Sequence, residues 1–556
     1  MKISKIWLLS FVFFLIGNYA IFAGAGQQSS AGTSTNESSI LNPLGQTPLL
    51  KEKINLTMGM VRSPLTTDMV DNYKTKTLEN DSNIHLDFVY YGASSTEAQQ
   101  KLELEIMAGG TELPDIINFG LDSIAQGLYG SQGMLIPLDN YINTSSYWMK
   151  DGIKEMPYDP WKYVRSSDGK IYSLFNYAGE FVTEVYSRFY TNTVWLNDAG
   201  LSMPTTLKGF EDMLRAFKNR APNKDGTKTY PFLTERTRIE NYNVLGTLIG
   251  PFIYLGNVNT NRYFYKEDNG TISPAFTTDQ WRAALTWIRS LVDDNLIDPL
   301  SFTIDEEQIK SIGSATSEYA IGCSSYYPLN YIPLSDPRAD NWCLIGPFSG
   351  FNGGDPVPMY TQNMPDLCYN ITKNCKYPEA AFRMGDLMMS EKFSVIGRWG
   401  EEGVDWVKPA ATDTTYFPGV APYLIPIAVW GTPTNKLWAQ SQGPAIKPYK
   451  IFNGSYVQGR IHYLDLWAAE MGARAIQYIH PEKVIGTIVY TQAEYEKIAE
   501  IRSNVESYIL ECFSRFMLRD MSLENDWDKY LTELKNMGLD TYVQTARTAY
   551  VRMNQQ

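Results

Sequence analysis

The chain has 556 residues, of which 44% are hydrophobic and 20% are charged. This length and apolar content suffice for about three average domains or two large ones, and they exclude a disordered polymer. The chain carries 48 Lys and Arg against 61 Asp and Glu, a formal net charge of −13. A surface of that sign argues against general binding to nucleic-acid backbones or anionic lipid.

The first 25 residues have the pattern of a signal peptide. Lys2 and Lys5 precede an apolar run over residues 6–16, and the small residues of 23–25 fit a cleavage site. A retained membrane anchor is the alternative, but eleven apolar residues are too few for a comfortable membrane-spanning helix. Residues 26–45 are rich in Ser, Gly, Thr and Asn, which predicts a flexible linker. We therefore expect an exported protein.

Five cysteines, Cys323, Cys343, Cys368, Cys375 and Cys512, are widely spaced. An odd number at these spacings predicts neither a disulfide framework nor a zinc ribbon. One bridge, such as Cys368–Cys375, and five buried thiols are both compatible with the pattern. No cysteine lies near the cleavage region, so we do not expect a lipid-anchored N-terminus.

The folded part opens with strands that alternate with helices. The pattern predicts strands over 54–59, 84–91 and 113–119, and helices over about 66–78 and 95–108. Such alternation is typical of βαβ units with a mostly parallel sheet, which defines an α/β fold. Ligands of open α/β sheets bind beyond the carboxyl ends of the strands. This rule singles out Tyr90, Tyr91, Asn118, Phe119 and Asp122.

The C-terminal part is predicted to be helical. Thr491 and Glu494 form a capping box that opens a helix to about Met517. A second helix begins at Ser522 or Asn525 and ends at Gly538, and a third runs to about Met553.

Several motifs of catalysis and nucleotide binding are missing. The sequence has no phosphate-binding loop, no dinucleotide fingerprint, no H-E-x-x-H and no G-x-S-x-G. Carboxylates are plentiful, so a glycosidase-like acid pair stays open. Glu401, Glu402 and Asp405 form an acidic cluster near aromatic residues, which we interpret as a solvated or ligand-bonding turn.

Eight segments resemble, in family order, the extracellular solute-binding proteins of carbohydrate ABC transporters. The similarity is to the subgroup of LipO-like lipoproteins and alginate-binding proteins, and it extends over about residues 110–530. The segments are Gly109–Ile117 (GGTELPDII), Gln132–Ile142 (QGMLIPLDNYI), Asp168–Tyr172 (DGKIY), Trp195–Thr206 (WLNDAGLSMPTT), Leu296–Pro299, Pro378–Ala381, Gly403–Trp406 and Trp527–Tyr530.

The resemblance implies a two-lobe α/β protein of the periplasmic-binding-protein kind. The N-terminal lobe would comprise residues 46–180 and 366–420, and the C-terminal lobe residues 181–365 and 421–556. The chain would cross between lobes near 178–185, near 362–368 and within 410–430.

The resemblance also implies a function and its partners. A sugar or oligosaccharide would bind in the cleft, and hinge closure would deliver it to the permease of an ABC importer. We expect a periplasmic monomer that binds no nucleic acid and is not an enzyme; an extracellular or cell-surface location is the alternative.

Rings that stack on sugar faces and polar groups that bind hydroxyls would line this cleft. The family positions and the strand ends together select the candidate ligand-binding residues, for each of which ordinary packing is the competing interpretation. They are Tyr91, Phe119, Asp122, Tyr177, Arg188 in an expected strand over 184–190, Tyr326, Tyr327 and Trp399.

Relatives carry a calcium loop that this chain retains only in part. Asn223 and Asp225 remain, and Gly226 supplies the turn, but Lys228 and Thr229 replace an acidic pair. Calcium usually takes six to eight oxygen ligands with several carboxylates. We therefore expect no cofactor, with calcium at Asn223 and Asp225 as the alternative.

Two other functions stay open at this point. The same cleft could hold a peptide or another anionic solute, with Arg188 at its centre. An exported glycan-active enzyme would instead need an Asp/Glu pair about 5 to 9.5 Å apart.

Overall fold

The computed structural model describes residues 34–166, 168–185, 189–240, 242–255, 263–333, 335–358, 360, 362–428, 432–438, 442–459 and 463–555. The predicted signal peptide lies outside these residues, as does the first part of the predicted linker. In the described ranges, no helix combines the length and the apolar character that crossing a membrane requires.

The described residues form strands and helices throughout both halves of the chain. The strands are β1 Ile54–Val61, β2 Ile84–Gly92, β3 Ile116–Ile117, β4 Ser173–Ala178, β5 Phe189–Asn192, β6 Tyr230–Phe232, β7 Phe264–Lys266, β8 Ile272–Pro274, β9 Ile321–Ser324, β10 Trp342–Ile345, β11 Asp366–Ile371, β12 Trp406–Val407, β13 Ile425–Pro426 and β14 Ala445–Lys447. The helices are α1 Ser34–Ile40, α2 Tyr73–Ser82, α3 Ser95–Met107, α4 Ser123–Ser131, α5 Asp139–Thr144, α6 Met149–Lys154, α7 Trp161–Val164, α8 Phe181–Glu184, α9 Thr193–Asp198, α10 Leu207–Lys218, α11 Arg236–Glu240, α12 Tyr242–Ile249, α13 Asp279–Asp293, α14 Glu306–Ser314, α15 Pro378–Met388, α16 Glu391–Trp399, α17 Tyr449–Phe452, α18 Tyr463–Ala475, α19 Gln492–Met517, α20 Trp527–Asn536 and α21 Leu539–Gln555.

The first lobe is built on a six-stranded sheet with the order β14–β4–β11–β3–β1–β2. Only β11 runs antiparallel to its neighbours; the other described strands of this sheet are parallel. Its core contains Met58, Ile116, Phe175 and Ile371, all fully buried. The α/β fold predicted from the alternation of strands and helices is confirmed.

The second lobe has its own four-stranded sheet, ordered β10–β5–β9–β6. Strand β5 is antiparallel to β9 and β10, and β6 is parallel to β9. A separate core joins Phe189 and Phe232 of this sheet to Trp281 of α13 and Phe513 of α19. Two sheets with two distinct cores make two lobes, since each apolar face is buried within its own lobe.

The capping box predicted at the start of the long C-terminal helix is present. The Thr491 side chain accepts from the Glu494 N–H, and the Glu494 carboxylate accepts from the Thr491 N–H at 2.8 Å. These bonds satisfy two N–H groups that would otherwise lack partners at the helix start.

The predicted helix over 66–78 begins later, at Tyr73. The Asp68 carboxylate accepts from the Val70 and Asp71 N–H groups, each at 2.8 Å, which folds this segment into a turn. Asn72 then caps the helix by accepting from the Lys74 N–H. Short polar side chains that bond to nearby backbone compete with helix in this way.

Residues 34–45 differ from the predicted flexible linker. Helix α1 packs on the first lobe through Ile40 and Leu41, which are both buried. The Glu37 carboxylate accepts from the Ala380 N–H at 2.8 Å and so caps the start of α15. The polar composition of this segment gave no sign of the contact, because it depends on only Ile40, Leu41 and the Glu37 carboxylate.

The third crossing between lobes also differs from its expected place within 410–430. Strand β14 pairs with β4 in the first sheet, and α18, further along the chain, contacts α8 and β10. The chain therefore stays with the first lobe beyond Lys447, since Lys450 pairs with Glu155 and Phe452 packs against Trp399. A boundary at residue 420 falls before a strand of that sheet. A three-residue strand carries too little pattern to be seen in the sequence.

The five cysteines are all free thiols. Cys323, Cys375 and Cys512 are buried, and Cys343 and Cys368 are half-buried. The alternative of one Cys368–Cys375 disulfide is therefore wrong, and the alternative of free thiols is the one that the structure shows.

Candidate functional site

One edge of the first sheet faces the crossings between the lobes. The five parallel strands end at this edge, and the antiparallel strand β11 begins there. The chain leaves the first lobe after Ala178 of β4, returns at Asp366 of β11 and leaves again beyond β14, between α17 and α18. This edge therefore faces the second lobe, and it is where an open α/β sheet binds ligands.

The second sheet presents an equivalent edge to the first lobe. Strand β5 begins directly after the first crossing, and its antiparallel partners β9 and β10 end at the same edge. After the first crossing the chain enters the second lobe through β5, and after the second crossing it re-enters the first lobe through β11. Each of these strands is antiparallel to its neighbours. The carboxyl ends of the parallel strands in both lobes thus border one interlobe space.

At the β1–β2 end of the first edge lies a groove with a volume of about 640 Å³. Arg62, the residue after β1, places its guanidinium carbon 4.4 Å from the centre of the Tyr90 ring. The groove is lined by Val61, Arg62, Ser63, Pro64, Thr66, Thr67, Asp68, Met69, Val70, Tyr90, Ala93 and Gln442. Its lining combines one aromatic face with hydroxyls, one amide and two opposite charges.

At the β4–β14 end of the same edge, five side chains form what we call the hinge cluster: Glu180, Glu184, Asn363, Tyr449 and Tyr456. The Tyr449 hydroxyl lies 2.7 and 2.8 Å from the two Glu184 carboxylate oxygens. The Asn363 N–H donates to Glu184 at 3.0 Å, and the Tyr456 hydroxyl donates to Glu180. These residues belong to all three crossings, so the cluster ties the three connections together.

Burial dominates the electrostatics of the hinge cluster. Glu184 is 0% exposed, and desolvation raises the pKa of its carboxyl to about 8 even though the Asn363 N–H and the Tyr449 hydroxyl stabilise the charge. Desolvation and the neighbouring Glu184 also raise the pKa of Tyr449. The ammonium of nearby Lys447 donates to the Asn176 side chain at 2.6 Å, and burial lowers the Lys447 pKa to about 7.

The second-lobe edge carries three aromatic rings. The ring centres of Tyr190 and Tyr327 are 5.4 Å apart, and that of Trp467 lies 5.8 and 6.1 Å from them. Tyr190 and Trp467 are buried, whereas Tyr327 is half-buried. Tyr327 is therefore the most accessible of these three rings.

Three predicted ligand residues lie at the first-lobe edge but are engaged in the fold. Tyr91 is 2% exposed; its ring centre lies 5.3 Å from that of Phe119, and its hydroxyl donates to Glu105. Phe119 is buried in the same core cluster. The Asp122 carboxylate caps α4 by accepting from the N–H groups of residues 124 and 125 at 3.0 and 2.7 Å.

Tyr177, Tyr326 and Trp399 are also buried. Tyr177 is 0% exposed beside the hinge cluster, with its ring centre 6.1 Å from that of Tyr158. Tyr326 is 0% exposed, and its hydroxyl donates to Glu306 at 2.9 Å. Trp399 packs edge-on against Phe452 in a core cluster.

Arg188 lies outside the described residues. The strand expected over 184–190 is instead the last residue of α8 followed, after residues 186–188, by β5. Of the eight candidates, Tyr327 has the most accessible ring on the interlobe side.

The retained part of the calcium loop is held by protein groups. The Asn223 amide donates to the Tyr319 carbonyl at 3.0 Å. The Asp225 carboxylate accepts from the Thr227 N–H at 2.9 Å and from the Thr316 hydroxyl at 2.5 Å, which lowers its pKa. The described residues contain no cluster of three or more His, Cys, Asp or Glu side chains that could hold a metal ion.

The sequence interpretation missed Arg62 and the hinge cluster. Arg62 directly follows the observed strand β1, but the predicted strand ended at residue 59, so the rule that selected Tyr90 did not reach it. Glu184, Asn363 and Tyr449 are separated by up to 265 positions, and no local pattern indicates that they meet.

Solved structures share this two-lobe architecture. The substrate-binding protein FusA of Streptococcus pneumoniae, solved in complex with kestose, matches with a TM-score of 0.66 and 20% identity over 90% of this chain and 99% of that chain. An HMO-binding, ABC-transporter-associated solute-binding protein of Bifidobacterium longum infantis matches with a TM-score of 0.72 and 17% identity over 90% and 98% of the two chains. At these identities the structural similarity shows a common fold.

Comparison of sequences also finds FusA. The fructooligosaccharide ABC transporter substrate-binding protein FusA is 22% identical over 557 residues, 96% of each chain. Lipoprotein LipO of Bacillus subtilis is 32% identical over 117 residues, 19% of this chain and 20% of LipO. A family model for the bacterial extracellular solute-binding protein matches residues 68–391, more than half of the chain. The chain therefore belongs to the family of bacterial extracellular solute-binding proteins.

Proposed function

We propose that this protein is the substrate-binding component of an ABC importer, which captures a sugar or oligosaccharide between its lobes and delivers it to a membrane permease. One observation carries the proposal: two sheets direct the carboxyl ends of their parallel strands at one interlobe space, with Tyr90 and Tyr327 as half-buried rings on opposite sides. The similarity to FusA, a fructooligosaccharide-binding protein, and to the HMO-binding protein supports this solute class.

The chemistry of the two edges suits a sugar. The apolar C–H faces of a sugar ring stack on aromatic rings, and its hydroxyls bond to polar side chains. The first edge offers Ser63, Thr66, Thr67 and Gln442 around the Tyr90 ring. The hinge cluster would let the lobes close on the solute, since the connections between the lobes meet there.

The protein acts as a binder and catalyses no reaction. The buried hinge carboxylates Glu180 and Glu184 bond to tyrosine hydroxyls and hold the crossings together, which is a structural use of acidic groups. No cofactor is needed for reversible capture. Further partners are the permease subunits, and we expect a monomer that binds no nucleic acid.

We place the protein outside the cytoplasm. The signal-peptide pattern of residues 1–25 and membership of an extracellular family support export. The first cysteine is Cys323, so lipid attachment near the cleavage region has no acceptor. We expect a periplasmic location, which fractionation of the native cell tests. Recovery in a detergent-soluble lipoprotein fraction would contradict it.

A thermal-shift screen tests the function. The mature chain is melted with kestose, a neutral milk-type tetrasaccharide, a galacturonate trisaccharide, a tripeptide and buffer alone. A ligand at 100 times its Kd adds about 2.7 kcal/mol of stability, so the matching oligosaccharide is expected to raise Tm by several degrees. Chromatography of the same mixtures is expected to show the ligand unaltered. No shift with any oligosaccharide, a shift with the peptide alone, or new products would each overturn the proposal.

A further inference from the structure

The groove at the β1–β2 end contains an arginine whose charge is not used by the fold. Among the described residues, no carboxylate lies within 4.0 Å of the Arg62 guanidinium, and none accepts a hydrogen bond from it. The acidic residue of the groove, Asp68, instead directs one carboxylate oxygen at the N–H groups of Val70 and Asp71. The guanidinium donors of Arg62 therefore remain available to a solute.

The backbone explains why Arg62 and Tyr90 share the groove. Strands β1 and β2 pair Met60 with Tyr90 and then Val61 with Gly92, so Tyr91 is an extra residue in the ladder. The Arg62 N–H donates to the Gly92 carbonyl at 2.7 Å and fixes the strand end. Irregular pairing of this kind redirects side chains and is common next to binding sites.

Successive residues of β2 point to opposite faces, and each carries a cation on its ring. Arg62 lies over Tyr90 on the groove side. Lys101 of α3 lies over Tyr91, 4.6 Å from its ring centre, on the side of the core cluster that contains Phe119. The strand end thus provides two similar cation–ring pairs, of which the first lines the groove.

We propose that Arg62, stacked on Tyr90, is a specificity-determining residue that binds a pair of neighbouring acceptor oxygens on the captured sugar. This inference rests on the proposed function. A guanidinium presents donors in a planar fork that matches a carboxylate or two adjacent hydroxyl oxygens, and the Tyr90 ring holds that plane in place. Lysine cannot reproduce the fork, because its ammonium is a point charge on a flexible stem.

Three variants of the mature protein test the inference: Arg62→Lys, Arg62→Gln and Lys101→Gln. The ligand is the oligosaccharide that stabilises the wild type most strongly, and Kd is measured by calorimetry. Loss of a charge-assisted, two-pronged contact is expected to weaken binding about tenfold in both Arg62 variants. Lys101→Gln removes the same charge from the same strand end, together with an exposed bond from the ammonium to the Tyr90 carbonyl at 3.1 Å. Because the fixed strand end and the Arg62 guanidinium remain, Kd is expected to stay within about twofold. Unchanged Tm of the ligand-free variants shows that the fold is intact.

Two sources of paired oxygens are distinguished by salt. If the solute supplies a carboxylate, as in a uronate, raising the salt concentration raises the Kd of the wild type, since salt screens charge pairs. The Kd of Arg62→Gln then does not change with salt. If it supplies vicinal hydroxyls, both proteins are insensitive to salt. Either result, with the tenfold loss, supports the subsite. Wild-type affinity in Arg62→Lys and Arg62→Gln overturns the subsite and leaves the proposed function standing, whereas a wild type that binds no oligosaccharide overturns both.

Discussion

The two ends of the first-lobe edge use polar side chains in opposite ways. At the hinge end, Glu184 is fully buried, and its carboxylate oxygens lie within hydrogen-bond distance of Tyr449 and Asn363. At the groove end, Arg62 is exposed and stacks on Tyr90 without an ion pair to a described residue. Both ends belong to one six-stranded sheet, about five strands apart.

Under the proposed function, this difference makes the hinge end the pivot between the lobes and the groove end the surface that binds the solute. A buried polar group is costly unless its partners are all present, so the hinge cluster holds one arrangement of the three crossings. An exposed charge costs little and can exchange water for a solute. The same strand ends can therefore fix the lobes at one side and capture ligand at the other.

Removing the hinge carboxylate should have the largest effect. Glu184→Ala leaves the Tyr449 hydroxyl and the Asn363 N–H without their buried acceptor, and we expect about 3 kcal/mol of lost stability in urea unfolding at pH 4.5, where the raised pKa of Glu184 costs the wild type little. Glu155→Ala is the matched control, because it removes only a partly exposed ion pair with Lys450 and should cost less than about 1 kcal/mol. Equal losses in the two variants would show that the hinge cluster is no more constrained than the surface.

The pH dependence of stability sharpens the same contrast. The Glu184 carboxyl has a pKa of about 8 in the fold against an ordinary value of 4.5, so between these values the folded chain holds a proton that the unfolded chain has released. Stability from this group is present below pH 4.5 and is lost as pH rises towards 8, at up to about 1.4 kcal/mol per pH unit.

Glu184→Gln provides the measurement. The amide cannot ionise, while Glu180, Tyr177, Tyr360 and Tyr449 are common to both proteins. The unfolding free energy of the variant, relative to wild type, should therefore increase steadily from pH 5 to pH 8. Parallel profiles over that range would contradict a raised pKa at the hinge.

A ring on the second-lobe edge extends the comparison across the cleft. Tyr327→Ala removes a half-buried ring beside Trp467, and we expect about tenfold weaker oligosaccharide binding from lost stacking, equivalent to about 1.4 kcal/mol. Tyr326→Phe is its neighbour control, since Tyr326 is buried and its hydroxyl donates to Glu306. The control should keep the wild-type Kd; calorimetry that ranks the two variants the other way would place the ligand elsewhere.

The smallest effect is expected from calcium. The two Asp225 oxygens already accept from Thr227 and Thr316, and the Asn223 oxygen accepts from Arg220 at 3.4 Å, so few oxygens remain for an ion that takes six to eight. We expect Tm to stay within about one degree when calcium or a chelator is added, by differential scanning fluorimetry. A calcium-dependent rise of several degrees would show that the loop opens to bind the ion.

Local pattern predicted much of this protein. Alternating strands and helices indicated the α/β class, strands β1 and β2 lie where expected, and the capping box at Thr491 is present. The motifs from 110 to 530 indicated the family. These features depend on neighbours within a few turns or on motif order, both of which are visible in a linear sequence.

The tertiary structure decided which candidate rings at the strand ends remain accessible. Tyr90 and Tyr91 are adjacent, as are Tyr326 and Tyr327, yet in each pair only one ring remains accessible because the other packs into a core. The hinge cluster joins residues 180, 363 and 449, which no local pattern connects. Burial and distant contacts depend on how whole sheets pack, and so the sequence alone identified the strand ends while the fold selected the residues that act there.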